Sequence, residues 1–151
     1  MTINEFWAFA QSAEESYSEY RKRIMERFSL SAAETDILMF LANNPGYDTA
    51  AQIARIRKIP KSQVSLCVNA LCGRGLLRGA YTADNRKSIH LALTDAAAPV
   101  AAYGRGVQEE FAAALFSGFS EAEKAEFSRL HHKISENIDR KRKDSPCRHS
   151  S

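Results

Sequence analysis

Residues 60–94 constrain the fold more than any other part of this chain. In the run Pro60-Lys61-Ser62-Gln63-Val64-Ser65-Leu66-Cys67-Val68-Asn69-Ala70-Leu71, the residues Val64, Val68 and Leu71 fall at i, i+4 and i+7. That spacing makes one apolar stripe of a helix. The helix breaks at Gly73-Arg74-Gly75, and two short strand-like runs then flank the polar knot Asp84-Asn85-Arg86-Lys87. In the second run Ile89, Leu91 and Leu93 alternate with Ser88, His90 and Ala92, which predicts one face on a core and one polar face. A helix followed directly by a basic-tipped hairpin is the pattern of a winged helix, a fold that usually meets DNA.

Charge supports the same reading through its distribution. The formal net charge is only +3, but residues 51–90 carry eight basic side chains, Arg55, Arg57, Lys58, Lys61, Arg74, Arg78, Arg86 and Lys87, against the single acid Asp84. A local charge of +7 in forty residues suits a polyanion, because steering towards phosphates depends on clustering rather than on the total. A merely solvated basic surface is the plainer reading of charge taken alone.

Reciprocal capping signatures, in which a hydroxyl and a Glu or Gln three residues on satisfy orphan amides, mark the helix starts. Ser31 with Glu34 opens a helix through Ile37, Leu38 and Leu41 that stops near Asn43-Asn44-Pro45-Gly46. Thr49 with Gln52 opens a short one, and Ser120 with Glu123 opens the last, through Phe127, Leu130, Ile134 and Ile138. Thr94 or Asp95 is expected to cap a helix carrying Val100, Tyr103, Val107 and Phe111, with Pro99 tolerated in its first turns. The fold class expected is mainly α with a small β-wing: an N-terminal helix over 1–30, a winged helix-turn-helix over 31–94, two C-terminal helices over 95–140 and a flexible basic tail over 141–151.

The length of 151 residues fits one domain. No run approaches the roughly 20 apolar residues of a membrane span, and the apolar stretch Phe6 to Ala10 is too short for a signal peptide, so a cytoplasmic protein is expected. Ile3, Phe6, Trp7, Ala10, Tyr17, Tyr20 and Ile24, with the stripes of the last two helices, are more apolar surface than a small winged helix can cover. A second copy of the chain is the natural cover, and a two-fold dimer would set two reading helices about 34 Å apart.

With Val64, Val68 and Leu71 inward, Lys61, Ser62, Gln63, Ser65, Leu66 and Asn69 turn outward or to the flanks. Gln and Asn suit adenine edges, Lys suits phosphate or guanine, and Ser suits either base or backbone. A merely polar helix face is the plain alternative. The hairpin beside it favours the DNA reading, with Arg86 and Lys87 at the tip and Thr49, Arg74 and Arg78 assigned to the DNA backbone.

These residues resemble the MarR family of bacterial transcriptional regulators, whose usual pattern is Ser-Lys-Ser-Thr-Val-Ser-Arg, then Lys-Gly-Leu-Ile, Asp-x-Arg and Leu-Thr. Lys61-Ser62-Gln63-Val64-Ser65, Gly75-Leu76-Leu77 and Leu93-Thr94 carry the resemblance. It implies a homodimer on a pseudo-palindromic operator, usually a repressor released by a small molecule or oxidant. It also implies an effector cleft, for which Phe6, Trp7, Tyr17, Tyr20, Phe40 and Tyr103 are the aromatic candidates, although such a stripe is more often core. Two departures stand out. Leu66 occupies the usual arginine position, where an apolar contact, such as one to a thymine methyl, replaces a polar one; Pro60 replaces the serine cap. Counting without gaps sets Asn85 and Lys87 at the wing's Asp and Arg positions, whereas Asp84 and Arg86 match by residue type.

Other chemistries find little here. Cys67, Cys72 and Cys147 match no disulfide framework or zinc knuckle, and His90, His131, His132 and His149 have no metal-gathering spacing. No cofactor is expected. The absence of a phosphate loop or nucleophile elbow argues against an enzyme. The remaining alternative is a winged-helix module that docks a protein and has no operator of its own.

Overall fold

The computed structural model describes residues 1–82 and 85–144, with the side chains of 81–87 and 141–144 outside the description. Its elements are α1 (Ile3–Phe28), α2 (Ala32–Asn43), α3 (Ala50–Arg57), α4 (Lys61–Gly73), β1 (Leu77–Thr82), β2 (Asn85–Leu93), a 3-10 turn (Asp95–Ala97), α5 (Ala98–Leu115) and α6 (Glu121–Asp144). This is a winged helix-turn-helix between N- and C-terminal helices. Two compact units divide the chain, Met1–Phe111 and Ala112–Ser151.

Capping sets the starts of the helices. Full capping boxes form at Ser31/Glu34 and Thr49/Gln52, and a further one at Thr2/Glu5, which the sequence reading missed. Ser120 and Glu123 exchange the same bonds before α6. α4 starts on Pro60, which supplies no side-chain cap and needs none to stay helical, because its missing amide would be an orphan. Thr94 departs from expectation. It makes no side-chain cap; its Oγ1 donates to the Gly75 carbonyl at 2.6 Å and its amide to Leu76 at 3.1 Å. The hydroxyl therefore ties the base of the wing to the end of α4, and the chain passes through a 3-10 turn before α5.

In the first unit Ile24, Ile37, Leu38, Ile53, Val64, Leu71, Leu76, Leu77, Leu91, Val100 and Val107 share one core. α2 packs on α1 and α4, and α3 packs on α4 and β2. The wing is an antiparallel pair with Leu77 opposite Leu93 and Tyr81 opposite Ile89. A short bridge from Thr49 to His90 and the Leu91 amide on the Asp48 carbonyl at 2.7 Å add a third edge. Along β2, Leu91 is buried as expected, but Ile89 is 47% exposed because the strand has run past the core by that point. Ile89 lies instead across Gly79, where an added Cβ would stand 2.6 Å from its Cγ2. Gly75, with φ at +71°, ends α4 in the left-handed region, and the Leu76 amide reaches back to Leu71.

On α1 only Ile24 is fully buried, while Ile3, Trp7 and Phe9 stay exposed. In the second unit Phe116 packs edge-on against Phe119 and Phe127. α6 continues through Asp144, past the expected start of a tail at 141, and is laced by Glu121–Lys124 and Glu126–Arg129 ion pairs. Among the described residues no helix is long and apolar enough to cross a membrane.

Two glycines of α5 should respond oppositely to a side chain. An added Cβ at Gly104 would stand 2.3 Å from the buried Met39 Sδ, whereas at Gly106 it would meet nothing within 4 Å. Gly104→Val is expected to cost about 1–3 kcal/mol by overpacking, and Gly106→Ala to gain about 0.5–1 kcal/mol from helix propensity. Chemical denaturation of the two variants checks both signs.

Candidate nucleic-acid interface

The candidate interface is the outward side of α4. Val64 and Leu71 are fully buried, Cys67 and Val68 half-buried, and this stripe orients the helix. Its opposite side presents Lys61, Ser62, Gln63, Ser65, Leu66 and Asn69, all exposed. Ser65 donates its hydroxyl proton to the Lys61 carbonyl at 3.0 Å, so towards a ligand it offers an acceptor. α4 contains no acidic residue. Arg55, Arg57, Lys58 and Arg78 are exposed on the neighbouring elements of the same lobe. A polar, cationic helix face with side chains of hydrogen-bonding length is chemically suited to phosphates and base edges.

The structure gives some of the other candidates local tasks. Thr49 caps α3, accepting from the Gln52 amide at 3.3 Å. Arg74, assigned to the DNA backbone from its charge, donates to the carbonyls of Phe28 at 2.7 Å and Ser29 at 2.8 Å. Its guanidinium thus closes the C-terminal end of α1, where orphan carbonyls attract a cation. Arg78 is exposed on β1. Asp84 lies outside the described residues; Asn85, Arg86 and Lys87 belong to the backbone of β2, and their side chains lie outside the description. His90 binds Asp48 at 2.9 Å through Nδ1, fastening β2 to the segment before α3.

The aromatic cleft is only partly assembled as expected. A concavity of about 200 Å³ is lined by Tyr17, Asp36, Met39, Phe40, Asn43, Asn44, Arg57 and Gln108. Of the six expected residues, Tyr17 and Phe40 are there. Phe6 and Trp7 pack edge-on against each other near the start of α1, Tyr20 packs on Phe111, and Tyr103 lies under the Arg27 guanidinium and beside Phe28. Each of these rings packs against its own neighbour rather than lining the concavity.

The polar lining was invisible in the sequence. Asn43 donates to Gln108 at 2.7 Å and Gln108 to the Tyr17 hydroxyl at 3.0 Å, links across 65 and 91 residues with no local signature. Asp36 accepts from Arg21 at 3.0 Å and stands 3.5 Å from Arg57, joining α1, α2 and α3. Cys67, half-buried on α4, has its thiol pushed up by burial and secondarily by Glu34.

The comparisons with known proteins fit this geometry. A sequence profile of the MarR family matches residues 28–86, the stretch from the end of α1 through the wing. Over this stretch the chain is similar to the MarR family. Solved structures share the fold. A putative MarR-family regulator from Listeria monocytogenes complexed with 26mer DNA is 20% identical over 99% of both chains, with a TM-score of 0.78. A MarR regulator from Methanosarcina mazei Go1 is 15% identical over 93% of both, also at 0.78. Bordetella bronchiseptica BpsR, whose DNA binding is regulated by 6-hydroxynicotinic acid, is 20% identical over 85% of this chain and 98% of its own, at 0.59. No curated protein sequence matches the chain.

Two outcomes follow for this lobe. Asp36→Ala removes the carboxylate that hydrogen-bonds the half-buried Arg21, leaving only Glu14 at 3.8 Å, and is expected to cost about 1–3 kcal/mol in chemical denaturation, short of the loss for a fully buried pair. Cys67, protonated at neutral pH, should alkylate with iodoacetamide more slowly than a free thiol at pH 7.5, and the rate should climb as pH rises past the ordinary thiol range.

Proposed function

We propose that this chain is a sequence-specific DNA-binding transcriptional regulator that works in the cytoplasm as a homodimer on a pseudo-palindromic operator, as a ligand-responsive repressor. One observation carries the reading. The exposed face of α4 is free of acids and lies within residues 51–90, where eight basic residues meet one acid. Lys61, Ser62, Gln63, Ser65 and Asn69 enter the major groove in this reading, Gln63 and Asn69 against adenine edges. Arg86 and Lys87, from the wing, meet the minor groove, and Arg78 meets phosphate. The 26mer complex of the Listeria relative supports duplex DNA as the partner.

The dimer is supported by apolar surface that each unit leaves uncovered. α1 exposes Ile3, Trp7 and Phe9; α6 exposes Phe127, Leu130, Ile134 and Ile138 at helical spacing. Terminal helices over 1–30 and 95–140 burying these faces against a second copy would supply the symmetry that an inverted repeat requires. For the ligand response, the concavity beside Tyr17, Phe40 and Arg57 is the candidate site, and the regulation of BpsR by a small aromatic acid supports an effector of small size. Coupling of about 1–3 kcal/mol between effector and operator is the usual scale.

Fluorescence anisotropy with a labelled duplex across a salt series tests the DNA reading. Affinity should fall steeply with salt. Replacing Arg86 and Lys87 together by Ala should weaken binding and reduce the log–log salt slope by about one to two. An unchanged slope and affinity would remove the wing from the interface, and no binding at low salt would favour a protein-docking module.

A further inference from the structure

We propose that Leu66 is a specificity-determining residue that reads the 5-methyl group of a pyrimidine in the major groove, foremost that of thymine. The inference rests on the DNA-binding reading of α4. Leu66 is 70% exposed, the most exposed large apolar side chain of the lobe among the described residues. It stands at the centre of the outward face. Its helical neighbours three and four residues away are Gln63, Asn69, Ser62 and Ala70, all exposed and none of them large and apolar. Among the described residues, Leu66 belongs to no part of the core cluster. One branched side chain ringed by polar groups is also far smaller than the surface a protein partner needs.

The same isolation suits a base edge. Every pyrimidine 5-methyl projects into the major groove as the one apolar feature among hydrogen-bonding groups, and a short branched side chain can cover it. Three residues of helix advance about 4.5 Å, close to the roughly 3.4 Å between base pairs. Gln63, Leu66 and Asn69 therefore step along consecutive pairs when α4 lies in the groove. With two amides suited to adenine on either side, a thymine methyl between them makes an A·T-rich centre of the half-site. An arginine at this position would instead favour guanine.

The test uses the full chain and a duplex that the wild type selects from a random-sequence pool. Each thymine is replaced in turn by deoxyuridine, which removes only the methyl, and each cytosine by 5-methylcytosine. Deoxyuridine at one position per half-site should weaken wild-type binding by about fourfold per methyl, the effect of one buried methyl. Leu66→Ala, which alters an exposed side chain and should melt with the wild type, should bind more weakly and show no difference between thymine and uracil there. A gain on cytosine methylation that Leu66→Ala abolishes, without any sensitive thymine, would support the same contact with 5-methylcytosine as its source. Equal affinities across all substitutions, or the same methyl dependence in Leu66→Ala, would overturn the assignment. Failure of the wild type to select any duplex over random DNA would overturn the DNA reading itself, and this inference with it.

Discussion

Burial of Val64 and Leu71 under α2 and α3 is the constraint on which the rest depends. Both side chains are fully removed from solvent in the core shared by Ile37, Leu38 and Ile53. Each such side chain contributes about 1.5–3 kcal/mol, so rotating α4 about its axis to present another face would lose several kcal/mol and bury Gln63 or Asn69 without partners. The apolar stripe thus decides which side chains meet the outside. Chemistry on the outer face follows from packing on the inner one.

Around that helix the chain fastens each border with polar bonds. Thr94 joins the wing to Gly75, Arg74 closes α1, and Asp48 with His90 holds β2 to the start of α3. Several of these groups are polar or basic residues of the kind a DNA contact would use. Their bonds inside the chain give these groups structural tasks. Asp36, shared by Arg21 and Arg57, links the N-terminal helix to the helix-turn-helix beside the concavity.

Local rules made much of this legible in the sequence. The Ser31, Thr49 and Ser120 boxes located helix starts, and i, i+4, i+7 spacing gave the inward face of α4 and with it the six exposed residues. What escaped was whatever depends on distant partners. Charge alone assigned Arg74 to DNA, but the carbonyls it caps are 45 and 46 residues away. Aromatic spacing put Phe6, Trp7, Tyr20 and Tyr103 with Tyr17 and Phe40, whereas each ring went to its own neighbour. Alternation carried Ile89 inward, but a period-two pattern does not say where the core ends.

Hydroxyl-radical footprinting of a bound operator duplex, with the mass of the complex read by light scattering on the same sample, tests the central claim most directly. The account predicts two chains per duplex and two equivalent protected segments on one face, centred about 34 Å apart as two α4 helices in successive major grooves require. Continuous protection without register, or a single chain bound to the duplex, would contradict it.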